Sequence, residues 1–252
     1  MGVAACYGLI LSRWALLCRA SLGARLGVVA ERLAGRAAAY TETMIHEVLA
    51  VGMLGCNCSV LGDEATREGI VVDPGDEIGR ILEVIAKHQL QIKAIIITHA
   101  HLDHVGGAAK LKAATGAPVY MNANDQQLYD MVDVQAQWLG MAEPEKTAID
   151  VNAQDDASIS MGEIPLRLLH TPGHTQGSLC VWIPGQMRLL AGDTLFRDSV
   201  GRTDLPGGDH RQLIHSIHDK LLVLPEETVV LPGHGQLTTI GREKERNPFL
   251  QN

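Results

Sequence analysis

The sequence predicts an α/β domain built in layers, and two observations support that fold class. From Met44 onward, short apolar runs typical of strands alternate with segments in which apolar residues recur at helical spacing. Glycine, proline and aspartate, which favour turns, separate many of these segments. Helices that follow strands in this way pack outside sheets, so the pattern favours a layered α/β architecture.

The strands are predicted from the apolar runs. Ile45–Val51 alternates loosely, as a half-buried strand does, whereas Ala94–Ile97 is continuously apolar, as a strand covered on both faces is. The full set in chain order is Ile45–Val51, Cys58–Leu61, Gly69–Val72, Ala94–Ile97, Pro118–Met121, Ser158–Ser160, Pro165–His170, Ser178–Ile183, Met187–Ala191 and Thr228–Leu231.

Helices are predicted where the apolar period lengthens. In Asp76–Leu90, which follows the turn signal Asp73-Pro74-Gly75, the apolar residues from Ile78 to Ile85 share one face, so that face packs on a sheet. Further helices are predicted from the glycine pair Gly106-Gly107 to about Thr115, near Asn122–Gly140 and over Asp209–Leu221.

Residues 1–43 differ in composition from the remainder. They contain five arginines, no lysine and two acidic residues, so their net charge is +3, whereas the net charge of the whole chain is −8. The favoured interpretation is an N-terminal extension, with Met44 as the functional start and one domain over 44–252. An organelle presequence, rich in Arg and poor in acids, is the alternative. A secretory signal is disfavoured because no basic residue precedes the apolar stretch Val3–Leu11, and Arg13 and Arg19 interrupt any membrane span.

Charge and cysteine content narrow the partners and the compartment. The acidic balance, with a pI near 5.7, disfavours nucleic acid as a partner because such proteins usually carry a basic patch. Five cysteines without a regular framework indicate a reducing compartment. The cytoplasm is therefore expected, or the mitochondrial matrix if 1–43 acts as a presequence. Cys56 and Cys58, one residue apart, are predicted to be ordinary buried thiols.

Potential metal ligands follow several predicted strands. His99, His101, Asp103 and His104 come directly after Ala94–Ile97, and side chains at such strand ends project into a crevice. His-x-His in an extended segment turns both imidazoles to one side. Further candidates follow later strands beside glycines that permit close approach, namely His174, Asp193 and His234. Imidazoles and carboxylates in this density suit zinc, iron or manganese.

The other histidines lack such a setting. His46, His88, His215 and His218 are expected on the surface or in helices, His210 at a helix start, and His170 in a structural role.

The motifs resemble those of a known family. Thr98–His104 and the glycine pair after it resemble the THxHxDHxxG signature of the metallo-β-lactamase superfamily, and the match continues through His174, Asp193 and His234. Within it the chain resembles the type II glyoxalases (hydroxyacylglutathione hydrolases), and most of all their short bacterial branch. The segments that carry this likeness are His170–Ser178 (HTPGHTQGS), Gly192–Phe196 (GDTLF), Val200–Asp209 (VGRTDLPGGD) and Leu231–Leu250.

The resemblance implies an αββα four-layer sandwich and a binuclear site for two divalent ions, zinc first, with iron or manganese as alternatives. It implies that one ion is held by His99, His101 and His174, the other by Asp103, His104 and His234, and that Asp193 bridges them. The implied reaction is attack of metal-activated hydroxide on a small-molecule thioester such as S-lactoylglutathione, with Asp103 and Asp193 as catalytic residues.

One departure from the family and several alternatives bear on the substrate. Longer members carry a C-terminal helical domain that binds glutathione, whereas 18 residues follow His234 here. Arg202 is expected to brace the metal loops, with contact to a substrate carboxylate as the alternative. A persulfide dioxygenase with one iron on His99, His174 and Asp193 is the main competing enzyme. A lactonase or β-lactamase, or an inactive metal-binding scaffold, is disfavoured.

Overall fold

The computed structural model describes residues 44–251. The predictions made for residues 1–43, an extension or a presequence, lie outside the described residues. None of the helices within 44–251 is long and apolar enough to cross a membrane.

Two six-stranded sheets form the centre of the fold. The first has the order β1-β2-β3-β4-β5-β6, antiparallel from β1 to β3 and parallel from β3 to β6. Its strands are β1 (Met44–Val51), β2 (Cys56–Asp63), β3 (Glu68–Val72), β4 (Gln91–Ile96), β5 (Val119–Met121) and β6 (Val151–Asn152).

The second sheet has the order β14-β13-β10-β9-β8-β7, and only its β10–β13 pair is parallel. Its strands are β7 (Ser158–Met161), β8 (Ile164–His170), β9 (Leu179–Ile183), β10 (Arg188–Gly192), β13 (Val229–Pro232) and β14 (Thr238–Thr239). A separate hairpin pairs β11 (Leu195–Phe196) with β12 (Ser199–Val200).

Helices cover the outer face of each sheet, which confirms the predicted four-layer sandwich. Every residue of β9 is buried, so both faces of that strand are covered. Cys180 and Trp182 on one face pack with Leu213 and Ile217 in one outer core. The helices are α1 (Ile78–Lys87), α2 (Leu102–Val105), α3 (Ala108–Thr115), α4 (Gln126–Asp130), α5 (Val132–Leu139), α6 (His210–Ser216) and α7 (Ile240–Arg246).

The predicted helices are present, but several are divided or begin differently. The segment after Gly106-Gly107 forms α3, but a separate turn, α2, already begins at Leu102. The stretch near Asn122–Gly140 divides into a 3-10 turn, α4 and α5, and Gly140, at φ 65°, ends α5 in a left-handed cap. Asp209–Leu221 is α6 followed by a π-helical turn over Ile217–Leu221.

Several short elements were not predicted at all. These are β6, β11, β12, β14 and α7. Each of the strands has two residues, too few to show a period of two, and only pairing with a neighbour makes them strands. α7 begins at the N-cap Thr239, whose hydroxyl accepts the Arg242 N–H, and this capping signal was overlooked.

His46 was predicted to be a surface or helix residue, and that prediction was wrong. It lies half-buried in β1, where its Nδ1 accepts a hydrogen bond from Arg188 (2.7 Å) and its Nε2 donates to the Ser59 hydroxyl (3.0 Å). Burial, followed by the Arg188 charge, lowers the pKa of His46 from 6.5 to about 4. The Glu47 carboxylate acts in the opposite direction but is outweighed. His210 does begin α6, as predicted.

The neutral form of His46 should make stability depend on pH. Because the folded pKa, about 4, lies below the unfolded value of 6.5, the contribution is complete above pH 6.5 and is lost as pH falls towards 4. We expect wild type to lose about 2 kcal/mol more than His46→Gln between pH 7.5 and 4.5, measured by urea unfolding. His215→Gln, at an exposed histidine, is the control and should follow wild type. Parallel curves for wild type and His46→Gln would contradict the assignment.

Candidate metal centre

Side chains from four loops meet where the two sheets join. The segment after β4, a loop that leads into α2, carries four of the predicted ligands, and the loops after β8, β10 and β13 carry one each. Because β10 and β13 are parallel neighbours, their carboxyl ends lie side by side. The Leu179 N–H donates to the Thr98 carbonyl (2.8 Å), which joins the second sheet to the loop after β4. The structure brings together all the predicted residues: His99, His101, Asp103, His104, His174, Asp193 and His234.

The first triad consists of His99, His101 and His174. His174 Nε2 lies 3.2 Å from His99 Nε2 and 3.0 Å from His101 Nδ1. Burial and then the neighbouring imidazoles lower the pKa of His99 and bring that of His101 to about 3, so both rings are neutral and their lone pairs are available. Three such nitrogens around one point match the donor set of a zinc or iron site.

The second triad consists of Asp103, His104 and His234. His234 Nε2 lies 3.0 Å from Asp103 Oδ2 and 3.3 Å from His104 Nε2. Burial opposes ionisation of Asp103, but the hydrogen bond from His234 and the charge of His104 outweigh it and hold its pKa well below the usual range. The group is therefore a carboxylate with two imidazoles.

Asp193 lies between the triads. Its Oδ1 is 3.6 Å from His104 Nε2 and its Oδ2 is 3.7 Å from His174 Nε2. Asp193 Oδ1 is buried and accepts no hydrogen bond from any of residues 44–251. A buried carboxylate oxygen without a donor is costly unless a cation satisfies it. The residues present therefore fit divalent metal ions.

Backbone carbonyls orient two of the imidazoles. His174 donates its Nδ1–H to the Arg202 carbonyl (2.7 Å), and His234 donates its Nδ1–H to the Leu54 carbonyl (3.1 Å). These bonds turn Nε2 of each ring towards the centre, where it would meet a metal ion. The contact gives Arg202 the bracing role predicted for it, through its backbone, while its exposed guanidinium pairs with Asp204.

Asp73 orients His104, and the sequence analysis missed this role by treating Asp73-Pro74-Gly75 only as a turn. Its carboxylate accepts the Thr98 N–H (2.7 Å), the Thr98 hydroxyl (2.7 Å) and the His104 Nδ1–H (2.9 Å). It holds this position with a left-handed φ of 54°. One signal was available: Asp73 directly follows β3, which is parallel to β4, so both strands end at the same edge.

Asn57 holds the loop that carries His234, and no local pattern indicated this. Its backbone N–H donates to the Gly233 carbonyl (2.7 Å), and its side-chain amide donates to the carbonyls of Pro232 (3.0 Å) and Gly235 (3.2 Å). Asn57 therefore ties the first sheet to both sides of His234.

Cys56 and Cys58 are buried thiols, as predicted, but Cys56 also contacts the site. Its Sγ lies 3.5 Å from His104 Nδ1, and Cys56, His104 and His234 could together reach one ion. Nδ1 of His104, however, faces Asp73, and only Nε2 faces the other predicted ligands. Burial raises the pKa of Cys56 to about 11, so it stays a thiol and is a poor ligand.

The comparison with known families agrees with this geometry. The family profile described as the Metallo-beta-lactamase superfamily matches residues 51–234. The chain belongs to the metallo-β-lactamase superfamily. It is therefore a metallo-hydrolase by family, and its clustered histidines and aspartates are expected to hold divalent metal ions.

Other members of the superfamily resemble the chain over most of its length. An uncharacterised protein, ML0493, of Mycobacterium leprae (strain TN) is 41% identical over 210 residues, which cover 79% of this chain and 95% of the relative. The hydroxyacylglutathione hydrolase GloC of Haemophilus influenzae (strain ATCC 51907 / DSM 11121 / KW20 / Rd) is 37% identical over 213 residues, which cover 82% of this chain and 98% of the relative.

Solved structures of superfamily members show the same fold. The BLEG-1 B3 metallo-beta-lactamase superposes with a TM-score of 0.76 at 34% identity, over 82% of this chain and all of that chain. The structure of TTHA1623 in a di-iron-bound form has a TM-score of 0.74 at 38% identity and covers 81% of this chain and 100% of that chain. The structure of ETHE1 from Myxococcus xanthus has a TM-score of 0.68 at 29% identity and covers 81% of this chain and 83% of that chain.

Gly233 leaves the space that the centre needs. A Cβ at this position would lie 2.2 Å from Asp193 Oδ1 and 2.7 Å from His104 Cε1. We expect Gly233→Ala to displace Asp193 and reduce bound metal, measured by elemental analysis after dialysis. Gly79→Ala is the control, because nothing lies within 4 Å of its Cβ; it should keep full metal content and gain up to about 1 kcal/mol from helix propensity. Unchanged metal content in Gly233→Ala would contradict the described packing.

Proposed function

We propose that the protein hydrolyses a thioester, such as S-lactoylglutathione, to a thiol and a hydroxy acid. In this proposal the first triad would hold one divalent ion and the second triad would hold another, with Asp193 as a ligand available to either. The observation that carries it is Asp193, whose Oδ2 lies 3.7 Å from His174 Nε2 of the first triad and whose Oδ1 lies 3.6 Å from His104 Nε2 of the second. Oδ2 is also 3.9 Å from His234 Nε2, and Oδ1 is buried without a donor among the described residues. The likeness to the GloC hydrolase supports the substrate class.

The residues of the chain would contribute position and charge. When bound, two divalent ions polarise a carbonyl oxygen and lower the pKa of coordinated water to near 7. Asp103, held by His234, presents a carboxylate at the second triad, where it can orient an attacking water as well as bind. The thiol released from a thioester has a pKa of about 8.5, so it leaves without a strong general acid. The absence of a need for a general acid agrees with this site, because its imidazoles are the proposed metal ligands.

Groups beside the first triad are candidates to bind the thiol portion of the substrate. The backbone carbonyl of Arg202 accepts a hydrogen bond from His174, and the Arg202 guanidinium is exposed. The guanidinium could therefore bind a substrate carboxylate at the rim of the site. A cavity of about 260 Å³ is lined by Thr175, Gln176, Asn124 and neighbouring residues. The side-chain amides of Gln176 and Asn124 suit a peptide-like thiol. A small-molecule thioester, with no nucleic acid, stays the proposed partner, and the cytoplasm stays the predicted compartment.

Zinc is the proposed metal, and iron is the second candidate. The TTHA1623 structure, described as di-iron-bound, is the observation that favours iron in a similar chain. Persulfide dioxygenase is the competing activity, since the likeness to ETHE1 extends over most of the chain. A single iron on His99, His174 and Asp193 would use ligands that the binuclear site shares, so metal analysis and oxygen consumption, rather than the ligand set, distinguish the two activities.

The Asp193→Ala variant tests the proposal. We expect metal content to fall and hydrolysis of S-lactoylglutathione to drop more than about 100-fold, because even residues that only orient metal ligands contribute about 10- to 100-fold. Asp219→Ala, an exposed carboxylate paired with His215, is the control and should retain both. A chelator should abolish the wild-type activity. Full activity in Asp193→Ala would disprove the proposal, and oxygen consumption with glutathione persulfide, without thioester hydrolysis, would favour the dioxygenase.

A further inference from the structure

Asp125 connects two of the loops that carry the first triad. It lies in the 3-10 turn before α4 and is only 1% exposed. Its Oδ2 accepts the Ala100 N–H (3.0 Å) and the Thr175 hydroxyl (2.8 Å), and its Oδ1 accepts the Gly177 N–H (2.6 Å). All three donors are uncharged and lie in the loops after β4 and β8.

The positions of these donors relate Asp125 to the triad. Ala100 lies between His99 and His101, and Thr175 follows His174. One carboxylate oxygen therefore holds both the peptide between two of the imidazoles and the residue beside the third. The separations of His174 Nε2 from the other two rings, 3.0 and 3.2 Å, depend on how these two loops are spaced.

Two further contacts make the spacing specific. The carbonyl of Ala100 is held separately, by Gln135, whose side-chain amide donates to it (3.1 Å). A Cβ on Gly177 would lie 2.6 Å from Asp125 Cγ, so the carboxyl group packs directly against that backbone. The loops cannot approach or separate without breaking one of these contacts.

We propose that Asp125 is a positioning residue for the first metal ion: it sets the distance between the His99–His101 segment and His174 and so determines the affinity of that site. The inference rests on the metal assignment of the proposed function. It does not depend on the substrate.

Asparagine is the informative substitution. It has the shape of aspartate but replaces one acceptor oxygen with an amide donor. With the amide oxygen placed towards Ala100 and Thr175, the NH2 group faces the Gly177 N–H. With the amide reversed, the NH2 group faces the Ala100 N–H, while the Thr175 hydroxyl can turn to accept from it and donate to Ser178. At least one of the three hydrogen bonds is therefore lost in Asp125→Asn.

Asp63 provides a matched control. It is also buried, at 2% exposed, and its carboxylate accepts the backbone N–H groups of Ala65 (2.8 Å), Thr66 (3.4 Å) and Glu163 (3.0 Å). It also packs against a glycine, Gly162. It ends β2, at the opposite end of that strand from Asn57 and the metal centre. Asp63→Asn therefore makes the same chemical change away from the site.

The experiment measures Zn²⁺ affinity in the full chain carrying His234→Ala, which weakens the second triad and leaves the first intact. Competition with a chromophoric chelator gives the dissociation constant, and Co²⁺ absorption reports the ligand geometry. We expect Asp125→Asn to weaken Zn²⁺ binding about 10- to 100-fold and to alter the Co²⁺ spectrum. Asp63→Asn should change the affinity less than threefold, even if its melting temperature falls as far as that of Asp125→Asn.

The outcomes separate this inference from the proposed function. Equal affinity in Asp125→Asn and its parent, or an equal loss in Asp63→Asn, would overturn the positioning role. Weaker binding confined to Asp125→Asn would support that role even if wild type failed to hydrolyse any thioester. A wild-type chain that bound no Zn²⁺ or Co²⁺ would overturn both.

Discussion

Hydrogen bonds between backbone groups of the two sheets are the constraint on which the rest of the site depends. Leu179 bonds to Thr98 and Asn57 to Gly233 across the two sheets, and Gly233 bonds to Gly192 within the second sheet, all at 2.7–2.8 Å. They join the ends of β4, β10 and β13 with the starts of β2 and β9. Because these groups are directional and buried, their pairing fixes where each loop begins. The side chains of those loops then converge without long flexible connections.

The second constraint is charge. Three aspartates, at 73, 103 and 193, lie in a small, largely buried volume around the His104 imidazole. Burying carboxylates without a partner is costly, and one of the Asp193 oxygens has no donor among the described residues. A divalent cation offsets this cost. Metal binding and folding stability are therefore expected to be coupled in this protein.

The fold and the ligand set do not by themselves select a substrate. Structures described as a metallo-beta-lactamase and as ETHE1 both share the architecture with this chain. Groups around the site, such as Arg202 and the amides beside Thr175, differ from the ligands in facing the solvent or a cavity. Specificity is expected to reside in such groups, since activity depends on sites placed on a common scaffold.

What the sequence determined by itself was local. Apolar periodicity predicted the strands and a layered α/β class, whereas the four layers were implied by the resemblance to the metallo-β-lactamase superfamily. Imidazoles and carboxylates directly after strands predicted where ligands would lie. These features work within one segment, through side-chain alternation and turn chemistry. The break between α4 and α5 and the two-residue strands escaped prediction, because packing and pairing, rather than a period, decide them.

Only the tertiary structure decided which segments meet. It placed His174 against His99 and set Asp193 between the triads. It also gave Asp73, Asn57 and Asp125 their roles, although each resembles an ordinary turn or strand residue in the sequence. The physical reason is that a hydrogen bond between residues 25 to 178 positions apart leaves no periodic or compositional trace. Such contacts exist only once distant segments of the chain have packed together.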